Sequence, residues 1–109
     1  MISASLGRTG VRLAVAAALS LYLGVAHAEE SKVTIDNFTF SPAEVKVKVG
    51  DTVTWTNHDD IPHTVVSAGK FRSKAMDTDN TFSFTFTAAG EYKYFCSLHP
   101  HMTGTIKVE

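Results

Sequence analysis

The chain has 109 residues, ten Lys and Arg against eleven Asp and Glu, and a formal net charge of −1. That length holds one domain at most, and so even a balance of charge argues against a nucleic-acid binder, which carries a basic face. A single cysteine excludes both an intramolecular disulfide framework and a cysteine-rich zinc module.

Residues 1–28 read as an export signal. Arg8 and Arg12 form a basic start, Leu13 to Val25 is an uncharged apolar run, and Ala26-His27-Ala28 places small residues where signal peptidase reads them. A spanning helix needs about 20 apolar residues, more than this run supplies. Cleavage after Ala28 is therefore expected, leaving residues 29–109 as a soluble periplasmic domain with no membrane span. It loses both leader arginines, so eight basic residues face eleven acidic ones. Exported chains this small often depend on disulfides to offset a small core. With one cysteine this chain cannot, and a bound metal is the usual substitute.

From residue 29 onward the apolar residues recur with a period of two. Between Ile35 and Phe38 the phase slips by one residue across Asp36-Asn37, which predicts a bulge in the first strand. Val45, Val47 and Val49 alternate with Lys46 and Lys48. After a Gly50-Asp51 turn, Val53 and Trp55 alternate with Thr52, Thr54 and Thr56. Residues 68–81 show no clean period and are expected to form a long surface connection, with Met76 at its rim. Phe82, Phe84 and Phe86 alternate with Ser83, Thr85 and Thr87; a turn at Ala89-Gly90 leads to Tyr92 and Tyr94, and Ile106 and Val108 close the chain. One apolar and one polar face per run is the mark of antiparallel sheets around a shared core. The expected fold is all-β, a Greek-key sandwich of about seven short strands, with Trp55 and the phenylalanine stripe in its core.

Chemistry concentrates in Tyr92-Lys93-Tyr94-Phe95-Cys96-Ser97-Leu98-His99-Pro100-His101-Met102, a C-x2-H-x2-M pattern between the last two strands. His63, after a proline in an earlier loop, adds a second imidazole. A thiolate, two imidazoles and a thioether suit copper: the soft sulfurs stabilise Cu(I) while imidazole also accepts Cu(II). Two His and one Cys with a weak axial Met is the composition of a blue-copper electron-transfer site. Cys96, His99 and Met102 converge on one tight loop, and His63 would clamp that loop to the rest of the sandwich. In a regular strand Cys96 shares the face of Tyr92 and Tyr94, which places its sulfur under aromatic cover.

Each residue also has a plainer reading. A lone buried cysteine is usually a small core residue, a lone loop histidine is usually solvated, and a lone Met is usually core filler; the shared spacing is what favours ligands. His101 reads first as a solvated loop residue, and His58 with Asp59 and Asp60 as a polar turn. A Cys96–His99 nucleophile would make the chain an enzyme, but nothing supplies an orienting third group or an oxyanion hole, so no catalytic residue is assigned. Zinc fits poorly, because structural zinc prefers more thiolates and no methionine.

The stretches FSFTFTAAGEYKYFCSLHPHMTGTIKVE and VGDTVTWTNHDDIPHTV resemble the cupredoxins, the type 1 blue copper proteins. Within that family the chain resembles the amicyanin branch and, more loosely, plastocyanin and pseudoazurin. The two residues between His99 and Met102 match the short amicyanin loop. The resemblance implies one type 1 copper ion held by His63, Cys96, His99 and an axial Met102, with Asn57 as the asparagine that pins the two ligand loops together. It further implies a monomer that shuttles single electrons through the edge of His99, inside an apolar rim of Ile61, Pro62, Leu98 and Pro100. A c-type cytochrome or a periplasmic dehydrogenase would be the redox partner. Leu98 stands where amicyanin has proline and His101 where it has phenylalanine, so His101 belongs to the surface on which partner choice would depend. Amicyanin also has a longer N-terminal region. The same ligands would serve a different use, a periplasmic copper carrier or scavenger, and a metal-free interaction module is the third reading.

Overall fold

The computed structural model describes residues 28–109, so the expected export signal lies, apart from Ala28, outside the described residues. Nine strands form within them: β1 Glu30–Asp36, β2 Thr39–Ser41, β3 Glu44–Val47, β4 Thr52–Asn57, β5 Val66–Ser67, β6 Phe71–Arg72, β7 Thr81–Thr85, β8 Gly90–Phe95 and β9 Thr103–Val108. They assemble into a five-stranded sheet, in the order β3-β9-β8-β5-β6, and a four-stranded sheet, in the order β2-β1-β4-β7.

Most of the period-two runs become the inner faces of these sheets, but Val49, beyond the end of β3, is 49% exposed, and Phe82 and Phe84 of the phenylalanine stripe are half-buried where Phe86 is fully buried. Val33 and Ile35 of β1 and Val53 and Trp55 of β4 are buried from one side, and Tyr94, Ile106 and Val108 from the other. Trp55 is the central anchor: its ring lies 5.3 Å from that of Tyr94 and 5.7 Å from those of Phe71 and Phe82. Burying a large apolar side chain of this kind contributes about 1.5–3 kcal/mol. Close packing also sets single positions. Gly104 lies opposite Tyr94 in the β8–β9 ladder, and a Cβ there would overlap the Tyr94 ring and its hydroxyl oxygen.

The strand pairing departs from the all-antiparallel expectation. β9 runs parallel to β3, with Ile106 beside Val45, and β1 runs parallel to β4, with Val33 beside Trp55. Alternation reports which face of a strand is buried and says nothing of its neighbour's direction. Nor does the Gly50-Asp51 turn close a hairpin: it carries the chain from one sheet to the other, with Gly50 at φ 99°. The Asp51 carboxylate secures the crossing by accepting the N–H groups of Lys48 and Glu29, each at 2.9 Å.

Two segments differ more sharply. The slip at Asp36-Asn37 is no bulge. Asp36 pairs with Thr39 and Ile35 with Phe40, so Asn37 and Phe38 form a two-residue hairpin turn with φ of 51° and 58°. Positive φ at both central residues is the type I′ geometry, and a two-residue loop exchanges odd for even positions on the buried face. Asn tolerates this conformation; Phe38 does so at a cost of about 1–2 kcal/mol. Residues 68–81 are likewise more than a surface connection. They contain β6, antiparallel to β5, and bury Phe71, Ser73 and Met76. Met76 is 3% exposed, a core residue and not a rim one.

Candidate metal centre

The β8–β9 hairpin is closed at Phe95 and Thr103, so its loop is the ligand motif itself. Two tight turns shape it. His99 N–H donates to the Cys96 carbonyl at 3.2 Å, and Met102 N–H to the His99 carbonyl at 2.9 Å. Cys96 N–H then closes the loop onto the Met102 carbonyl at 3.1 Å. Cys96 and Met102 are buried, and His99 is half-buried.

His63 reaches the same point from the loop between β4 and β5. Its backbone exchanges two hydrogen bonds with Met76, His63 N–H donating at 3.2 Å and Met76 N–H at 2.8 Å. Asn57 braces that loop by donating to the carbonyls of Ile61 and Met76, at 3.0 and 2.9 Å, while its oxygen accepts from Asp59 N–H at 2.9 Å. None of these partners belongs to the Cys96 loop. The residue that joins the two ligand loops is Thr64. Its N–H donates to the Cys96 sulfur at 3.3 Å, and its hydroxyl oxygen accepts the N–H of Ser97 at 2.7 Å. Thr64 carries no motif signal, since its partners lie more than thirty residues away.

Cys96 Sγ, His63 Nδ1 and His99 Nδ1 form a triangle with edges of 3.7, 3.7 and 3.2 Å. Bonds of about 2.0–2.3 Å to one trigonally held ion would separate the donors by about 3.5–4.0 Å; both sulfur–nitrogen edges match, and the two nitrogens, at 3.2 Å, would need to part by a few tenths of an ångström to admit it. The thiol is prepared for it. Burial pushes Cys96 up, but the Thr64 N–H and the side chains of His63, His99 and Thr64 outweigh burial and hold it at about 6. A thiolate is the form that binds metal.

Asp59, read from the sequence as part of a polar turn, is part of this centre. Its Oδ2 lies 2.8 Å from His63 Nε2. An ionised carboxylate only accepts, so Nε2 carries a proton, and in the neutral ring that leaves Nδ1 to present its lone pair to the triangle. Burial raises the Asp59 carboxyl, yet the Phe38 N–H, the His63 ring and the Asn37 N–H together leave it below the usual carboxylate range. A carboxylate four residues before a histidine was the available signal, and a weak one.

The residues expected at the partner surface differ in exposure. Leu98 is 50% exposed, Pro62, Pro100 and His101 are exposed, and Ile61 is half-buried. Phe38 joins them unforeseen. It is 49% exposed, and its ring meets those of His99 and His63 edge to face at 5.1 and 5.4 Å.

A two-sheet sandwich with Cys, two His and a buried Met at one end defines a cupredoxin, and His63, Cys96, His99 and Met102 are arranged as type 1 copper ligands. Residues 27–109 match the copper-binding proteins of the plastocyanin/azurin family, and the chain belongs to that family. It is 39% identical to the amicyanin of Paracoccus versutus over 83 residues, which are 71% of this chain and 63% of that protein. It is 34% identical to amicyanin-alpha of Methylorubrum extorquens over 113 residues, 98% of this chain and 95% of the other. The matches to the two Paracoccus amicyanins thus span 63% of their length. A solved Cu(I) amicyanin with one methionine changed to alanine aligns at 36% identity and a TM-score of 0.70, over 80% of this chain and 88% of that one.

Proposed function

We propose that residues 29–109 form an exported, periplasmic carrier of single electrons, in which His63, Cys96, His99 and Met102 would hold one copper ion. The observation that carries this reading is the triangle of one sulfur and two Nδ1 atoms, with edges of 3.7, 3.7 and 3.2 Å. Copper in such a set alternates between Cu(I) and Cu(II), taking up and giving back one electron.

The protein's part is to keep the donors still. Thr64 and Ser97 lock the two ligand loops, and the Met76 bridge fixes the His63 backbone. Little rearrangement then accompanies each transfer. His99 is the half-buried ligand, and the apolar rim of Phe38, Pro62, Leu98 and Pro100 around it suits brief docking of a c-type cytochrome or a periplasmic dehydrogenase. The domain acts as a monomer, and surrounding charge governs encounter rate more than affinity.

The test is the visible spectrum of residues 29–109 after adding Cu(II) and then ascorbate. An intense band that bleaches on reduction and returns on reoxidation is expected for a Cys96 thiolate on redox-active copper. A pale or absent band would overturn the reading. Copper lost to a chelating acceptor within one redox cycle would replace the shuttle with a carrier.

A further inference from the structure

We infer that Asp59 is a positioning residue that binds the Phe38 turn and the His63 ring into one unit, setting the donor strength of His63 and seating Phe38 over both imidazoles. The inference rests on the copper reading above for its effect on potential, but not for its geometry.

Three donors converge on one carboxylate. Oδ1 accepts Asn37 N–H at 2.6 Å, and Oδ2 accepts Phe38 N–H at 2.9 Å and His63 Nε2–H at 2.8 Å. Successive N–H groups of a turn make a small anion-binding concavity, and here the anion is a side chain of the same domain. Asp59 is itself held: its N–H donates to Asn57 Oδ1 at 2.9 Å, and its carbonyl accepts the Thr78 hydroxyl at 2.6 Å. Its side chain is 12% exposed.

The turn explains why the linkage matters. Phe38 occupies a left-handed conformation that a bulky residue rarely adopts, and such outliers persist where the surroundings hold them. Asp59 is the group that holds this one. What the arrangement gains is the placement of the Phe38 ring against His63 and His99. A carboxylate on Nε2–H also raises the basicity of the opposite nitrogen, which favours the more highly charged oxidation state.

The experiment compares wild type with Asp59→Asn. In the copper-free protein, nitrogen NMR should find His63 as the Nε2–H tautomer in wild type and lose that preference in the variant, since one amide oxygen cannot accept three donors. In the copper form, the Cu(I) to Cu(II) ratio at fixed potential should rise about tenfold, or about 59 mV for one electron. Phe38→Gly, which keeps the turn's N–H groups, should leave the tautomer unchanged. An Nδ1–H tautomer in wild type overturns the inference, even if Asp59→Asn fails to fold. So does an Asp59→Asn protein with wild-type tautomer and potential. Failure of the copper reading would look different: wild type would give no bleachable band while its copper-free tautomer still reported on Asp59.

Discussion

Cys96 carries the centre's pH behaviour. Its thiol sits at about 6 because the Thr64 N–H and the neighbouring side chains outweigh burial, whereas a free cysteine titrates near roughly 8.5. In the copper-free protein the ultraviolet thiolate band should therefore appear with a midpoint near 6. The linkage has a definite sign. A folded value below the unfolded one adds stability that is complete above the unfolded value and lost as pH falls through about 6. Urea midpoints of wild type should therefore fall more steeply than those of Cys96→Ser between alkaline pH and that value; parallel profiles would contradict the assignment. Thr64→Val is the complementary change. It keeps the N–H on the sulfur but leaves the Ser97 N–H without its partner, so a loss of about 1–3 kcal/mol is expected in urea unfolding, with the blue band retained.

Among the elements, the β8–β9 hairpin is the most tightly specified. Gly104→Ala would drive a methyl into the Tyr94 ring, and since Tyr94 is held against Trp55 and Phe40 it cannot swing away. A loss of about 1–3 kcal/mol, typical of overpacking, should appear as a lower denaturation midpoint. The β1–β2 turn should respond in the opposite sense. Phe38→Gly removes a half-exposed ring and relieves a left-handed conformation, so stability should hold or rise by up to about 1 kcal/mol, measured on the copper-free protein. A clear loss would mean that the ring contributes more to the fold than to the centre.

At the scale of the whole molecule, Cys96 and Met102 belong to the same buried cluster as Trp55 and Tyr94, so an ion would add to a core that the side chains already form. Trp55, Tyr94, Phe40, Phe86 and Ile106 are fully buried between the sheets, and the two ligand loops are already joined by Thr64. Removing copper should thus leave the β-sheet circular dichroism intact and lower the thermal midpoint, because an ion bound only by the folded state stabilises it by mass action. A copper-free chain that is unfolded would show that the metal replaces a disulfide outright.

Residue pattern alone reached the sandwich, most of the buried runs and the candidate donor set, because both kinds of information are local. Alternation marks the buried face of Val53 and Trp55, and C-x2-H-x2-M places three donors on one loop. The parallel partners of β1 and β9, the crossing at Gly50 and the burial of Met76 depend on which strands become neighbours, and a period of two carries no such information. The same holds at the copper end. Thr64 joins Cys96 across 32 residues and Asp59 holds the Phe38 turn across 21; only folding brings those groups together. A short-range pattern can name the atoms that would touch the metal, but the groups that aim those atoms are chosen by distant chain segments meeting in space.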